Sequence, residues 1–126
     1  MSPRRTRVLV ADDHPGMLKA TCRLLSAECE VVASVADGGA LLEAVQRLQP
    51  DVVVLDVNLP VVHGLEACRR ITQGNPDVKI IIFTAMSEQD VGEQSFAAGA
   101  SAFVSKLASG GLLSAINRLC VGQGSA

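Results

Sequence analysis

The sequence predicts an α/β fold in which one parallel five-stranded sheet is covered by helices on both faces. Five short apolar runs alternate along the chain with five segments of helical periodicity, and such alternation is typical of parallel strands joined by right-handed helical crossovers. Apolar residues make up 48% of the chain but aromatic residues only 2%, so Val, Leu, Ile and Ala must fill the core. The 126 residues suit one compact domain.

The predicted strands are short and rich in β-branched residues, as the buried strands of a parallel sheet usually are. The central strand is an unbroken apolar run, and Pro60 prevents the chain from continuing as a strand beyond it. The five predicted strands lie at 7–11, 30–35, 52–55, 79–83 and 102–104.

A predicted helix follows each strand, with apolar residues at the i, i+3 and i+4 positions of an amphipathic helix. The fourth helix, 88–98, is unusually polar and leaves chiefly Val91, Phe96 and alanines to pack. This composition predicts a helix loosely held against the sheet, with an ordinary surface helix as the alternative. The predicted helix starts and caps are Asp13 or His14, the turn at 37–39, Gly64, Ser87 and Ser109.

Charge and hydropathy exclude several classes of function. The formal net charge is −2 and the weak basic cluster is confined to Arg4, Arg5 and Arg7, so neither direct nucleic-acid binding nor a membrane interaction is expected. No secretory signal and no apolar run near the ~18 residues of a membrane span are present, and a cytoplasmic location is expected. We expect a flexible N-terminus at 1–6, one domain at 7–121, and a flexible tail or linker start at 122–126.

The four cysteines and two histidines give no metal-binding spacing. Without a Cys-x-x-Cys pair, reduced thiols packed as small hydrophobic groups are expected, and Cys29, between two glutamates, should be the exposed one. His14 and His63 lack a second histidine at ligand spacing. His14 is instead expected to line the entrance to an acidic edge of the sheet, and His63 to face solvent.

Polar and charged residues stand where four of the predicted strands end. Because the carboxyl ends of parallel strands meet at one edge of a sheet, these side chains should converge where ligands bind in such folds. Crowded carboxylates repel one another and need a cation, and an all-oxygen donor set suits Mg²⁺. The residues are Asp12, Asp13, Asp56, Thr84 and Lys106.

This constellation points to phosphoryl transfer to a carboxylate. Aspartate nucleophiles form aspartyl phosphates in a known class of covalent catalysis, and a metal ion neutralises charge during the transfer. Asp56 is the expected acceptor because it ends the central strand. Lys106 could pair with Asp56 in the empty site and with a phosphoryl oxygen afterwards, and the Thr84 hydroxyl could hydrogen-bond such an oxygen.

With these residues in place, the chain resembles the receiver domain of bacterial two-component response regulators over residues 7–119. The resemblance implies a flavodoxin-like fold with strand order 2-1-3-4-5 and transfer of a phosphoryl group to Asp56 from a histidine kinase or phosphotransfer protein. The residues that carry it are Asp12, Asp13, the block 53–60, Gly64, Thr84 with Ala85, and Lys106.

The resemblance also assigns roles within the site. It implies that Asp13 and Asp56 bind Mg²⁺ directly, that Asp12 holds it through water, and that the backbone carbonyl of Asn58 completes the set. Lys106 and Thr84 would hold the phosphoryl oxygens. Phe103 would be the switch aromatic behind Thr84, although on general grounds a core role is the alternative.

The implied function is signalling without turnover of a free substrate. The domain would catalyse only its own phosphorylation and its own slow dephosphorylation. The surface formed by the fourth helix, fifth strand and fifth helix would change partners on phosphorylation. A C-terminal DNA-binding effector absent from this chain, with a role in transcription, and a phosphorylation-dependent homodimer are consistent with this expectation.

One residue departs from the family pattern. Much of the family has a cis proline after the lysine, but here Leu107 follows Lys106. A cis bond before a non-proline residue costs ~2.5–4 kcal/mol, so a trans bond or a reshaped loop is expected.

Two other functions use similar features. An aspartate-nucleophile phosphohydrolase would share the acid, metal and lysine but normally has a second aspartate two positions after the nucleophile, where this chain has Asn58. A flavodoxin-like cofactor binder would need aromatic side chains to stack on its ring, and the chain has no Trp or Tyr. A simple helix-cap role for Asp13 is a further alternative.

Overall fold

The computed structural model describes residues 5–107 and 111–124 and contains the ten expected elements. The strands are β1 (Arg7–Ala11), β2 (Glu30–Val35), β3 (Val52–Leu55), β4 (Lys79–Thr84) and β5 (Ala102–Ser105). The helices are α1 (Pro15–Ser26), α2 (Gly38–Leu48), α3 (Gly64–Gly74), α4 (Glu88–Ala97) and α5 (Gly111–Gly124).

The five strands form one parallel sheet in the order β2-β1-β3-β4-β5, which confirms the predicted fold class. The central strand β3 pairs with β1 through Val8↔Val52 and the following residues, and with β4 on its other side. The strand order reverses between β1 and β3, where the crevice of such a fold lies. The carboxyl ends of all five strands therefore share one edge.

The core has two layers, one on each face of the sheet. Alternate residues of β3 face opposite layers, since Val53 and Leu55 pack with residues of α2 and α3, whereas Val52 and Val54 pack with residues of α1 and α5. All four are at most 1% exposed. This burial on both faces explains why the strand is continuously apolar and fixes Asp56 at the end of a rigid element.

Two of the predicted helix caps are present. Asp37 Oδ1 accepts a hydrogen bond from the Ala40 N–H at 2.7 Å at the start of α2, and Ser87 Oγ accepts one from the Asp90 N–H at 3.1 Å at the start of α4. These bonds satisfy N–H groups that have no partner within the helix. Ser109 lies outside the described residues.

Helix α4 packs through few large side chains. Its buried residues are Val91, Gly92 and Ser95, whereas Phe96 is 46% exposed, so the expectation that Phe96 packs was wrong. The Thr72 hydroxyl oxygen lies 3.2 Å from the carbonyl oxygen of Ala98, just past the end of the helix, and the carbonyl oxygens of Cys68 and Arg69 in α3 are its other possible acceptors. The carboxyl end of α4 therefore contacts α3.

The cysteines correct another expectation. Cys29 is only 4% exposed, because it packs in the layer formed with α1 and α5. Burial raises the pKa of its thiol, and the nearby Glu28 raises it further. Burial also raises the pKa of Cys68 to about 11, so these thiols stay protonated at neutral pH.

The last helix continues slightly beyond the expected end of the domain. Helix α5 runs to Gly124, three residues past 121. In the part of the chain that the structure describes, no helix combines the length and the apolar character needed to cross a bilayer.

The loop after β3 contains a strained residue that yields a stability prediction. Val61 has a φ of 72° and is 82% exposed, in a tight turn where the Pro60 carbonyl accepts from the Val62 N–H at 2.9 Å. A positive φ closed by a hydrogen bond between residues two apart is a γ-turn of the rare type, which is strained for a β-branched residue but accessible to glycine. Val61→Gly should therefore raise the free energy of unfolding by about 1 kcal/mol, measured by urea titration.

The matched control for this variant is Val61→Thr, which makes the side chain polar but keeps the β-branch and hence the strain. We expect no gain from it. Equal unfolding free energies for the glycine and threonine variants would contradict the strain at this position.

Candidate functional site

Backbone pairing at the carboxyl edge places two aspartates side by side. The Asp56 N–H donates to the Ala11 carbonyl at 3.0 Å, and the Asp12 N–H donates to the Val35 carbonyl at 3.1 Å. These bonds continue the pairing of β3 with β1 and of β1 with β2 past the ends of the strands. Both aspartates are buried, with Asp12 3% and Asp56 4% exposed.

Lys106 joins these two carboxylates. Its Nζ donates to Asp12 Oδ2 and to Asp56 Oδ2, both at 2.6 Å. The backbone brings it there, since its N–H donates to the Thr84 carbonyl at 2.9 Å. Residues 94 and 50 positions apart in the chain thus meet, including the predicted pair of Lys106 with Asp56.

The ammonium group is held charged by its partners. Burial by itself lowers the pKa of Lys106, but the hydrogen bonds that its ammonium group donates to Asp12 and Asp56, together with its attraction to these two carboxylates, outweigh burial and raise the pKa above its ordinary value. The side chain is only 7% exposed. A buried cation therefore compensates two buried anions.

The two oxygens of Asp56 have different partners. Oδ2 accepts from Lys106, and Oδ1 accepts from the backbone N–H of Asn58 at 3.1 Å. The carboxylate is therefore fixed in orientation at the end of a rigid strand. Asn58 itself is exposed, in agreement with a loop that borders an open site.

Asp13 and His14 form the outer part of the acidic edge. The Nδ1 of His14 lies 3.2 Å from Asp12 Oδ1 and 3.0 Å from Asp13 Oδ1. Asp13 is 37% exposed in its side chain, and the N-cap position of α1 belongs to His14, which excludes the simple cap role for Asp13. His14, expected only to line the entrance, contacts both acids.

The donor atoms fit a divalent cation. Among the described residues, potential ligand atoms of Asp12, His14 and Asp56 lie within 4.8 Å of one another, and Asp13 approaches this group through His14. Three carboxylates and one ammonium leave two negative charges, which is the charge that Mg²⁺ neutralises. Carboxylate oxygens are also the ligands that Mg²⁺ prefers.

Thr84 lies at the same edge, next to the lysine strand. It is 1% exposed, pairs with Ser105 of β5, and its Oγ1 accepts from the Met86 N–H at 3.4 Å. Phe103 is half-buried against the core layer formed with α2 and α3. These positions bring Thr84 to the predicted edge and give Phe103 packing contacts.

Phe83 is a neighbour of the site that was not expected from the sequence. The Lys106 Nζ lies 5.9 Å from the centre of its ring, within the range of a cation–π contact. Phe83 precedes Thr84 and so faces the opposite side of the sheet, and only the course of the lysine side chain reveals the contact. No motif in the sequence signals it.

The segment after Lys106 follows the expectation for a non-proline residue. The described residues contain no cis peptide bond, so Lys106–Leu107 is trans. Leu107 is 83% exposed.

Comparison with known proteins identifies the class. A family model described as the response regulator receiver domain matches residues 8–117, and the chain belongs to this family. The sequence is 32% identical over 108 residues to the transcriptional regulatory protein DegU of Brevibacillus brevis and 34% identical over 102 residues to the response regulator GacA of Pseudomonas viridiflava. These alignments cover 84% and 79% of this chain but 46% and 48% of the relatives.

Solved structures agree with this assignment. A LuxR-family two-component response regulator from Aurantimonas sp. SI85-9A1 superposes with a TM-score of 0.87 at 34% identity, covering 94% of this chain and 86% of that one. The receiver domain of the putative response regulator NarL from Mycobacterium tuberculosis gives 0.83 at 26% identity, covering 98% and 99%. The chain spans about half the length of the curated relatives. The comparisons do not favour the phosphohydrolase alternative.

Proposed function

We propose that Asp56 accepts a phosphoryl group and thereby switches this receiver domain between two signalling states. The observation that carries the proposal is the environment of its carboxylate, which is buried, held by Lys106 on one oxygen and by the Asn58 N–H on the other, and adjacent to Asp12. Such a group is oriented before any donor arrives. Orientation of this kind removes much of the entropic barrier to attack.

The phosphoryl donor is a phosphohistidine of a histidine kinase or phosphotransfer protein. A carboxylate oxygen of Asp56 forms a bond to phosphorus while the phosphorus–nitrogen bond breaks, and the electron pair leaves with the imidazole. Lys106 then pairs with the phosphoryl oxygens, and the Thr84 hydroxyl donates to one of them. Their positive charge and hydrogen bond stabilise charge that develops during the transfer.

Mg²⁺ bound at this edge would neutralise the carboxylates and the phosphoryl oxygens during the transfer. The carboxylates of Asp12, Asp13 and Asp56 with the backbone carbonyl of Asn58 are the proposed ligands. This assignment is supported by the two uncompensated negative charges of the site and by its oxygen donors.

The signalling output follows from new contacts of Lys106 and Thr84. Moving a population from 1:99 to 99:1 takes about 5.5 kcal/mol of differential stabilisation, which a phosphoryl group with several new partners can supply. We propose that Phe103 turns inward behind Thr84 and that the face formed by α4, β5 and α5 changes its partner. A DNA-binding effector, a second copy of the domain and a cytoplasmic location are parts of this proposal.

The test is incubation with acetyl phosphate and Mg²⁺ followed by intact-mass measurement. Wild type should gain the mass of one phosphoryl group, and Asp56→Asn should gain none because the amide is not a nucleophile for phosphorus. The control is Asp77→Asn, which changes an exposed acid in the turn before β4 and should be phosphorylated like wild type.

Two outcomes would overturn the proposal. One is an equal mass gain in Asp56→Asn, which would move the acceptor elsewhere. The other is steady release of phosphate from a phosphate ester in the same preparation, which would favour a phosphohydrolase.

A further inference from the structure

His14 holds a position that the phosphoryl-transfer scheme leaves unused. Its ring nitrogen Nδ1 faces the carboxylates of Asp12 and Asp13, and its backbone N–H donates to Asp12 Oδ1 at 3.0 Å. The side chain is 69% exposed, so the ring stands between the buried aspartates and solvent. An imidazole nitrogen is thus directed at the oxygen atoms from which a cation site would be built.

The distances match those between two ligands of one metal ion. Bonds of about 2.1 Å from a divalent ion to nitrogen or oxygen place adjacent ligand atoms about 3.0 Å apart in an octahedral site. The Nδ1 of His14 lies 3.2 Å from Asp12 Oδ1 and 3.0 Å from Asp13 Oδ1. Binding of an ion between these three atoms therefore requires little movement of the chain.

The two carboxylate oxygens of Asp12 have different neighbours. Oδ2 accepts from Lys106, whereas Oδ1 faces the His14 ring. The oxygen on the His14 side is therefore available without displacement of the lysine. Potential ligand atoms of His14, Asp12 and Asp56 also lie within 4.8 Å of one another, so Asp56 can complete the same site.

The chemistry of the donor set predicts which ion is preferred. Mg²⁺ favours oxygen ligands, whereas imidazole suits Zn²⁺, Co²⁺ and other first-row transition metals, whose affinity for such sites rises along the Irving–Williams order. We propose that His14 is a ligand in the metal site of this domain and gives it a preference for a first-row transition-metal ion over Mg²⁺. This inference rests on the proposed function, because it assigns a further ligand to the same site.

The test compares Co²⁺ and Mg²⁺ binding to the whole chain by isothermal titration calorimetry, with the visible absorption of bound Co²⁺ as a second readout. In His14→Ala, Co²⁺ affinity should fall about ten-fold or more, since one of few protein ligands is lost, while Mg²⁺ affinity changes less than about two-fold. The Co²⁺ absorption spectrum should also change, because a nitrogen ligand leaves the ion. Neither readout depends on phosphorylation.

The matched control is His63→Ala. His63 is exposed, and its Nδ1 accepts from the Leu65 N–H at 3.2 Å at the start of α3, so it should leave both affinities and the spectrum unchanged. Equal Co²⁺ affinity and spectrum in wild type and His14→Ala, with Mg²⁺ still bound, would overturn the role of His14 alone. Failure of wild type to bind either ion would overturn both this inference and the proposed Mg²⁺ site.

Discussion

Replacing Lys106 with methionine is expected to lower the free energy of unfolding by about 3–5 kcal/mol, because removal of one partner from a buried ion pair leaves the remaining charge uncompensated. In this protein two carboxylates would lose their partner, since the Lys106 Nζ donates to Asp12 and to Asp56 at 2.6 Å each. Both carboxylates are almost inaccessible to water. Urea unfolding followed by circular dichroism at neutral pH without divalent ions gives the comparison.

The double variant Lys106→Met with Asp56→Asn is the control, because it removes the cation together with one of its anions. It should recover part of the lost stability. A single variant as stable as wild type, or a double variant less stable than the single, would show that the lysine does not compensate this pair.

The interaction of Lys106 with the two carboxylates also determines how the free energy of unfolding changes at high pH. Because the folded-state pKa of Lys106 is raised, its contribution is fully present below the ordinary lysine pKa and is lost as pH rises through the folded value. The difference in the free energy of unfolding between wild type and Lys106→Met should therefore become smaller only in strongly alkaline solution.

The second large effect is expected from Gly64→Ala at the start of α3. A Cβ at this position would lie 2.5 Å from the Asp56 carbonyl oxygen and 2.5 Å from Val57 Cα, and these are backbone atoms that cannot rotate away. We expect a loss of about 2–3 kcal/mol in the free energy of unfolding. Because the displaced backbone carries Asp56, phosphorylation by acetyl phosphate should also slow.

Gly16→Ala is the control for this change. Gly16 lies in α1, and an added Cβ would meet nothing within 4 Å. The free energy of unfolding should therefore rise by about 0.5–1 kcal/mol. Similar effects of the two glycine substitutions would show that the close contact at Gly64 has no influence on stability.

Much of the fold could be predicted because local pattern and tertiary packing agree in this chain. The continuous apolar run of β3 is buried on both sides by two helical layers, and the parallel arrangement then brings Asp12, Asp56 and Lys106 to one edge. The order of the strands could not be predicted in this way, since nothing in the residues distinguishes one parallel order from another. The expected order was the one that the family resemblance implies.

The errors have a common physical origin in long-range packing. Cys29 sits between charged neighbours that predict exposure, yet the chain segment is covered by the layer of α1 and α5. Phe96 was expected to pack but remains on the outer side of α4. The proximity of His14 to both acids depends on the direction of its side chain in the loop after β1, which sequence spacing does not determine.

Lys106 places a positive charge of the protein itself between Asp12 and Asp56. We expect a dication bound beside Asp12 and Asp56 to share their negative charge with this ammonium group, and therefore to weaken the attachment of Lys106 to the acidic edge without displacing it. We therefore expect the end of β5 to respond to metal binding alone, before phosphorylation.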